Sequence, residues 1–334
     1  MSPTAKHRLL VGVGYPAFAL FTFLLSVYWT FPYDRVRDYV VQEVEHPVGP
    51  GGERRDSGMR LQIDELSPSF LTGVVLEGVR FTKLPGPDAA PDEKPIVIEI
   101  EELSARISLL SLLTGTKDVS FSATVGGGDI DGEFALSEDE THIEAEIDAV
   151  ELRQLGVLGA LIGLPVSGVL AGSVDLTIGK ESSATKGSID LAVTSLVIGD
   201  GRAKLKLEGL GGDGLSVGRI EAGKLVVKAT VENGVAKFTR LGTEGGRDLT
   251  VRGSGQIRLV QPARLSRLEL LVNVKFADAF KTRDDRTRGL FAMLDVVPRL
   301  RAARTPEGAL QWQLTGAFAG SLRSTAAGAL AMPR

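Results

Sequence analysis

The chain has no cysteine in 334 residues, which excludes disulfides, thiolate zinc sites and cysteine nucleophiles. That is compatible with a bacterial periplasm, where a disulfide is permitted but not required. Histidine is nearly missing as well. His7, His46 and His142 fall in a tail, a linker and a strand, and offer no metal-ligand spacing. Positive charge is not in excess: a net charge of -4 and a pI near 5.6 leave no basic footprint for nucleic acid. Aromatic residues make up only 6%, yet 43% of the chain is apolar and 40 residues are glycine. That combination implies many short strands joined by tight turns.

Charge is absent altogether from Leu9 to Phe31 (LLVGVGYPAFALFTFLLSVYWTF). An uncharged apolar run of this length predicts a transmembrane helix, because about 20 residues cross a ~30 Å hydrocarbon core. Tyr28, Trp29 and Tyr33 sit at one end, where amphipathic rings favour the headgroup region. Lys6, His7 and Arg8 precede the run without an acid, whereas the charges after it are mixed. This asymmetry puts residues 1–8 in the cytoplasm and the bulk of the chain across the inner membrane. A cleavable signal peptide would have a shorter apolar region and a small-residue cleavage site. A retained single-pass anchor over 9–31 is therefore expected.

Beyond it, Val36, Val40 and Val44 form one apolar stripe of a short amphipathic helix. A turn-rich linker follows, so that helix and linker together occupy 32–58. From Met59 the period changes to two. Arg60 to Asp64, Val74 to Phe81, Ile96 to Ile100 and His142 to Ile147 alternate, and Gly126-Gly127-Gly128-Asp129 signals a hairpin. Ser108 to Gly115 reads as a compact apolar turn, and Leu152 to Leu164 as a glycine-weakened helix that must pack on something. Further strands are predicted at Ser173 to Ile178, Ser188 to Val193, Arg202 to Glu208, Lys224 to Glu232, Leu249 to Leu259 and Arg267 to Phe276. A helix ending near Pro298 and a final strand pair carrying Leu310, Trp312 and Leu314 come next. The expected fold class is mainly β: a transmembrane helix, then a long curved antiparallel β-sheet with a few short packing helices. The β domain spans 59–323, and 324–334 form a flexible tail.

Motif matches arise by chance in so glycine-rich a chain. Gly209-Leu210-Gly211-Gly212-Asp213-Gly214 fits the dinucleotide fingerprint but leads into a strand pattern, not a helix. Gly214-Leu215-Ser216-Val217-Gly218 fits the nucleophile elbow, but no helix follows and the last histidine, His142, precedes it. Asp129-Ile130-Asp131-Gly132 echoes a calcium loop with its later ligands displaced. Lys281 to Arg288 (KTRDDRTR) reads as a solvated helix face, or as a docking surface for an acidic partner or lipid headgroups. No catalytic residue, metal site or cofactor is expected.

Several stretches resemble one family. FPYDRVRDYV (Phe31 to Val40) follows the apolar run, and LQIDELSPSFLTGVVLEGVRF (Leu61 to Phe81) comes next. ARISLLSLLTGTKDVSFSATVGGGDIDGEF (Ala105 to Phe134), LPVSGVLAGSVDLTI (Leu164 to Ile178) and the segment Lys224 to Leu259 repeat a strand-turn-strand pattern, and TPEGALQWQLTGAF (Thr305 to Phe318) closes it. The order of elements is similar to the type II secretion system protein N family and, more broadly, to AsmA-like envelope proteins. The resemblance implies a curled, open β-sheet in the periplasm, held by an inner-membrane anchor. It also implies a non-enzymatic role in supporting assembly or stability of the secretion machine, with other secretion-system subunits as partners. The alternative is a lipid-binding or lipid-transfer module, in which an apolar β groove carries acyl chains of phospholipid. Candidate groove-lining positions are Val174, Leu176, Ile189, Leu191, Leu205, Leu207, Val227, Leu270, Val272 and Leu314. The same positions would serve equally as ordinary core.

Overall fold

The computed structural model describes residues 32–48, 52–69, 72–85, 95–108, 111, 116–156, 159, 163–205, 215–261, 265–294, 297–317 and 323–328, with seven positions between 15 and 30. Alternation dominates the sequence, and it produces one antiparallel sheet of 14 strands. The first eight are β1 (Met59–Ser69), β2 (Gly73–Lys83), β3 (Ile96–Ile107), β4 (Lys117–Val125), β5 (Gly128–Leu136), β6 (Glu140–Glu151), β7 (Val166–Gly179) and β8 (Lys186–Ile198). A separate two-stranded ladder, β9 (Lys204–Leu205) with β10 (Leu215–Ser216), interrupts the series. The large sheet resumes with β11 (Ile220–Glu232), β12 (Val235–Glu244), β13 (Leu249–Arg258), β14 (Arg267–Phe276), β15 (Leu310–Ala317) and β16 (Arg323–Ala326). Every member pairs with its neighbours in chain order, as successive hairpins demand. The β4–β5 turn falls on Gly126 and Gly127, whose φ of 59° and 70° suit a two-residue primed hairpin turn.

Two expectations are corrected here. The sheet is open and does not curl: its order starts at β1 and stops at β16, with no pairing between them. The edges are mismatched, at 11 residues against 4, so they offer no common ladder for closure. The second correction concerns the single-pass anchor, and with it the inner-membrane location and the membrane as an anchoring partner. Among the described residues no helix is long and apolar enough to cross a membrane. An apolar composition is not a span; that needs an unbroken helix of about 20 residues. Of 9–31, only Tyr15, Phe18, Ala19, Thr22, Phe23, Ser26 and Thr30 are described, all helical. The rest of that segment lies outside the described residues.

Among the described residues, five short helices with defined bounds pack beside the sheet. α1 (Tyr33–Glu45) lays Val40, Val41 and Val44 against a buried cluster of Leu61, Ile63 and Val79. The Glu45 carboxylate accepts a hydrogen bond from the Leu61 backbone N–H of edge strand β1 at 3.1 Å. α2 (Leu152–Leu155) realises only the start of the helix expected to Leu164, and most of 157–162 lies outside the described residues. α3 (Asp278–Lys281), α4 (Asp285–Leu294) and α5 (Pro298–Ala303) fill the β14–β15 connection. Asp284 caps α4 by accepting from the Thr287 N–H at 2.7 Å, and that bond holds its carboxyl below the usual range. α4 ends at Leu294, near Pro298 as expected, and Pro298 then opens α5.

The larger core gathers Leu152, Leu164, Val166, Val193, Leu196, Val217, Ile220, Ala222, Leu249 and Phe280. It lies beside a line of register slips at Glu101, Ala149, Gly168 and Gly223 that crosses the sheet. Such slips bend strands locally, and that lets the helices close over one margin of the sheet. Buried Asp248 ties this corner together. It accepts from the Glu221 N–H at 2.9 Å and lies 3.7 Å from Arg283, whose guanidinium stacks over the Phe280 ring.

Candidate functional site

Strand register decides which side chains share a face, because a one-residue slip sends each to the other side. One row of directly opposed residues can be followed through all 14 strands. It reads Leu66, Leu76, Leu103, Ala123, Ile130, Ile147, Gly172, Leu191, Val227, Leu241, Gly253, Val272, Trp312 and Ala326. Not one member is polar. The parallel row beside it runs Ala105, Phe121, Gly132, Ala145, Val174, Ile189, Ala229 and Phe238. The other face of the same strands carries Ser104, Ser122, Asp131, Glu146, Ser173, Asp190, Lys228 and Arg240 in register. Period-two alternation has thus been converted into a largely apolar face backed by a polar, charged one.

Seven of the ten candidate lining positions (Val174, Leu176, Ile189, Leu191, Val227, Leu270 and Val272) stand on this apolar face, and Leu314 joins them opposite Leu270. All eight are half-buried, and none belongs to either buried cluster. Leu205 is drawn into the separate β9–β10 ladder, and Leu207 lies outside the described residues. At the far ends of β3 and β5 the apolar face reaches solvent, where Ile107 is 42% and Leu136 39% exposed. Large side chains face glycines repeatedly: Leu176 opposes Gly187, Leu191 opposes Gly172, and Leu270 opposes Gly255. The bare backbone gives each leucine room to lie along the sheet.

Sequence reasoning missed the site at the other end of the face. Beyond Leu270 and Val272 on β14, the same side continues to Val274 and Phe276, and Leu310 stands opposite Val274. There α3, α4 and α5 roof a cavity of about 310 Å³. Its apolar walls are Phe276, Phe291, Leu300 and Leu310, and Phe291 packs edge-on to Phe276 with ring centroids 5.1 Å apart. Its described polar lining is Lys281, Arg301 and Arg304. The only sequence signal was the Lys281 to Arg288 run. It contributes Lys281, while Arg301 and Arg304 arrive from α5 and its C-cap.

The charged face has its own peculiarity. Asp129 opposes Asp148, Asp131 opposes Glu146, and Glu133 opposes Glu144, all exposed. Among the described residues, however, no group of His, Asp and Glu is arranged to hold a metal ion. The fragment Asp129 to Gly132 is part of β5, not a loop, and Leu215–Ser216 is strand with no helix after it.

No protein-family model, curated protein or solved structure matches this chain. The similarity to the type II secretion system protein N family thus rests on sequence patterns alone. The secretion-machine role required the inner-membrane anchor, and it is set aside with that anchor.

Proposed function

We propose that this protein is a non-enzymatic lipid-binding module whose open sheet holds acyl chains along its apolar face. The supporting observation is the unbroken apolar row through all 14 strands, half-buried except at Ala123 and, Leu76 apart, outside both packed clusters. A contiguous apolar surface of this extent marks an interaction site more often than a bare surface. An acyl chain is matched to it chemically: it presents no polar group that a face of Leu, Val, Ile and Gly would leave unpaired. The AsmA-like resemblance, as a proposal, points the same way.

The test is mass spectrometry of lipid co-purifying with the full chain, before and after Leu270→Glu. The expected result is near-stoichiometric acyl lipid that the charged substitution removes while the circular dichroism spectrum and cooperative melt persist. A folded parent protein free of lipid, and unable to take up oleate from solution, would overturn the reading.

A further inference from the structure

We infer that the cavity between β14, β15 and the three short helices is a head-group site, which selects single acyl chains ending in an anion. The inference rests on the acyl-chain reading above and adds to it a polarity and a direction. The cavity sits at the end of the apolar track of β14 and β15, so a chain lying over Leu270 and Val272 brings its terminus there. At about 310 Å³ it is at the small end of ligand pockets, suited to a head group rather than a whole lipid.

Three of its described lining residues are cations. Lys281, Arg301 and Arg304 come from three places in the chain, before α4, within α5 and at the end of α5, and converge on walls that are otherwise apolar. Cations beside apolar walls act on an anion more strongly than they would in open water. Arginine in particular matches the planar oxygens of carboxylate and phosphate. Lys281 also makes a 2.9 Å ion pair with Asp278, whose side chain is 94% exposed. That pair keeps the ammonium at the cavity without filling it, since Asp278 is not among the lining residues. The common chemistry is a terminal anion on an acyl chain, either a carboxylate or a phosphate.

The experiment titrates the full chain by calorimetry with oleate, 1-oleoyl-lysophosphatidate, oleyl alcohol and inorganic phosphate. Oleate, lysophosphatidate or both should bind at least about tenfold more tightly than oleyl alcohol, the scale of one charge-assisted hydrogen bond. Whichever of the two binds better identifies the head group as carboxylate or phosphate. Arg301→Gln and Lys281→Met should each bring the anion's affinity towards that of the alcohol. Equal affinity for alcohol and both anions would overturn the head-group site while the acyl-chain reading stands. Inorganic phosphate binding as tightly as lysophosphatidate would overturn it too, since no chain would then be required. Failure of all three oleyl compounds to bind would overturn both readings. The comparison among ligands uses the unaltered protein, so it decides the matter even where a variant fails to fold.

Discussion

Leu270 on β14 stands directly opposite Gly255 on β13, and the glycine holds a φ of 154° that a side chain would not readily adopt. A Cβ at Gly255 would also collide with the backbone carbonyl of Glu269 on the paired strand. Gly255→Ala should therefore destabilise the protein by about 1–3 kcal/mol. Urea unfolding would read this as a lower midpoint with an unchanged slope. A neutral substitution would show that the backbone there relaxes freely.

Gln311 on β15 is 2% exposed, and its amide links β14 to the residue just past β16. It donates to the Ala327 carbonyl at 3.0 Å and accepts from the Asn273 amide at 3.3 Å. Gln311→Ala strands both partners in a closed space, at an expected cost of about 1–3 kcal/mol. Amide exchange should accelerate most in β16, which pairs with β15 alone. Uniform exchange across the sheet would contradict a local role.

The three facing acid pairs of β5 and β6 repel one another. Glu146→Lys, which places a cation opposite Asp131, should raise stability by roughly 0.2–1 kcal/mol in low salt. The gain should shrink in molar salt, because these side chains are exposed and screened. Equal gains at both ionic strengths would assign the effect to packing or propensity instead.

The Lys281 ammonium holds the Asp278 carboxyl below its ordinary value of 3.8. A depressed carboxylate contributes stability above its unfolded pKa and loses it as pH falls through the folded one. Asp278→Asn should thus melt slightly below the parent at neutral pH, and the two should converge as pH falls below the ordinary carboxylate range. The same variant removes the ion pair that holds Lys281 at the cavity and should weaken oleate binding at neutral pH. Tighter binding would show instead that Asp278 only neutralises the ammonium.

Much of the strand pattern was legible because a strand buried on one face writes a period of two directly into its residues. Arg267 to Phe276 is predicted and observed with the same bounds. The hairpin at Gly126 and Gly127 was equally legible, since few residues tolerate both positive φ values. Arg202 to Glu208 alternates just as cleanly, but among its described residues Lys204–Leu205 pair outside the main sheet. Alternation reports a strand's two faces and says nothing of which neighbour will take its hydrogen bonds. The chain end behaves in the opposite way: its small residues gave no strand signal, yet Arg323–Ala326 pairs with β15.

What the sequence determined by itself was local: mainly β character, no cysteine chemistry, and strands each with one dry face. Tertiary structure alone decided that the dry faces align in register across 14 strands, and that the sheet stays open because its edges are unequal. It also brought Lys281 to Arg301 and Arg304 around one apolar cavity. Side chains about 20 residues apart converge only when intervening helices fold back over a sheet. Residue spacing along a chain carries no record of that distance.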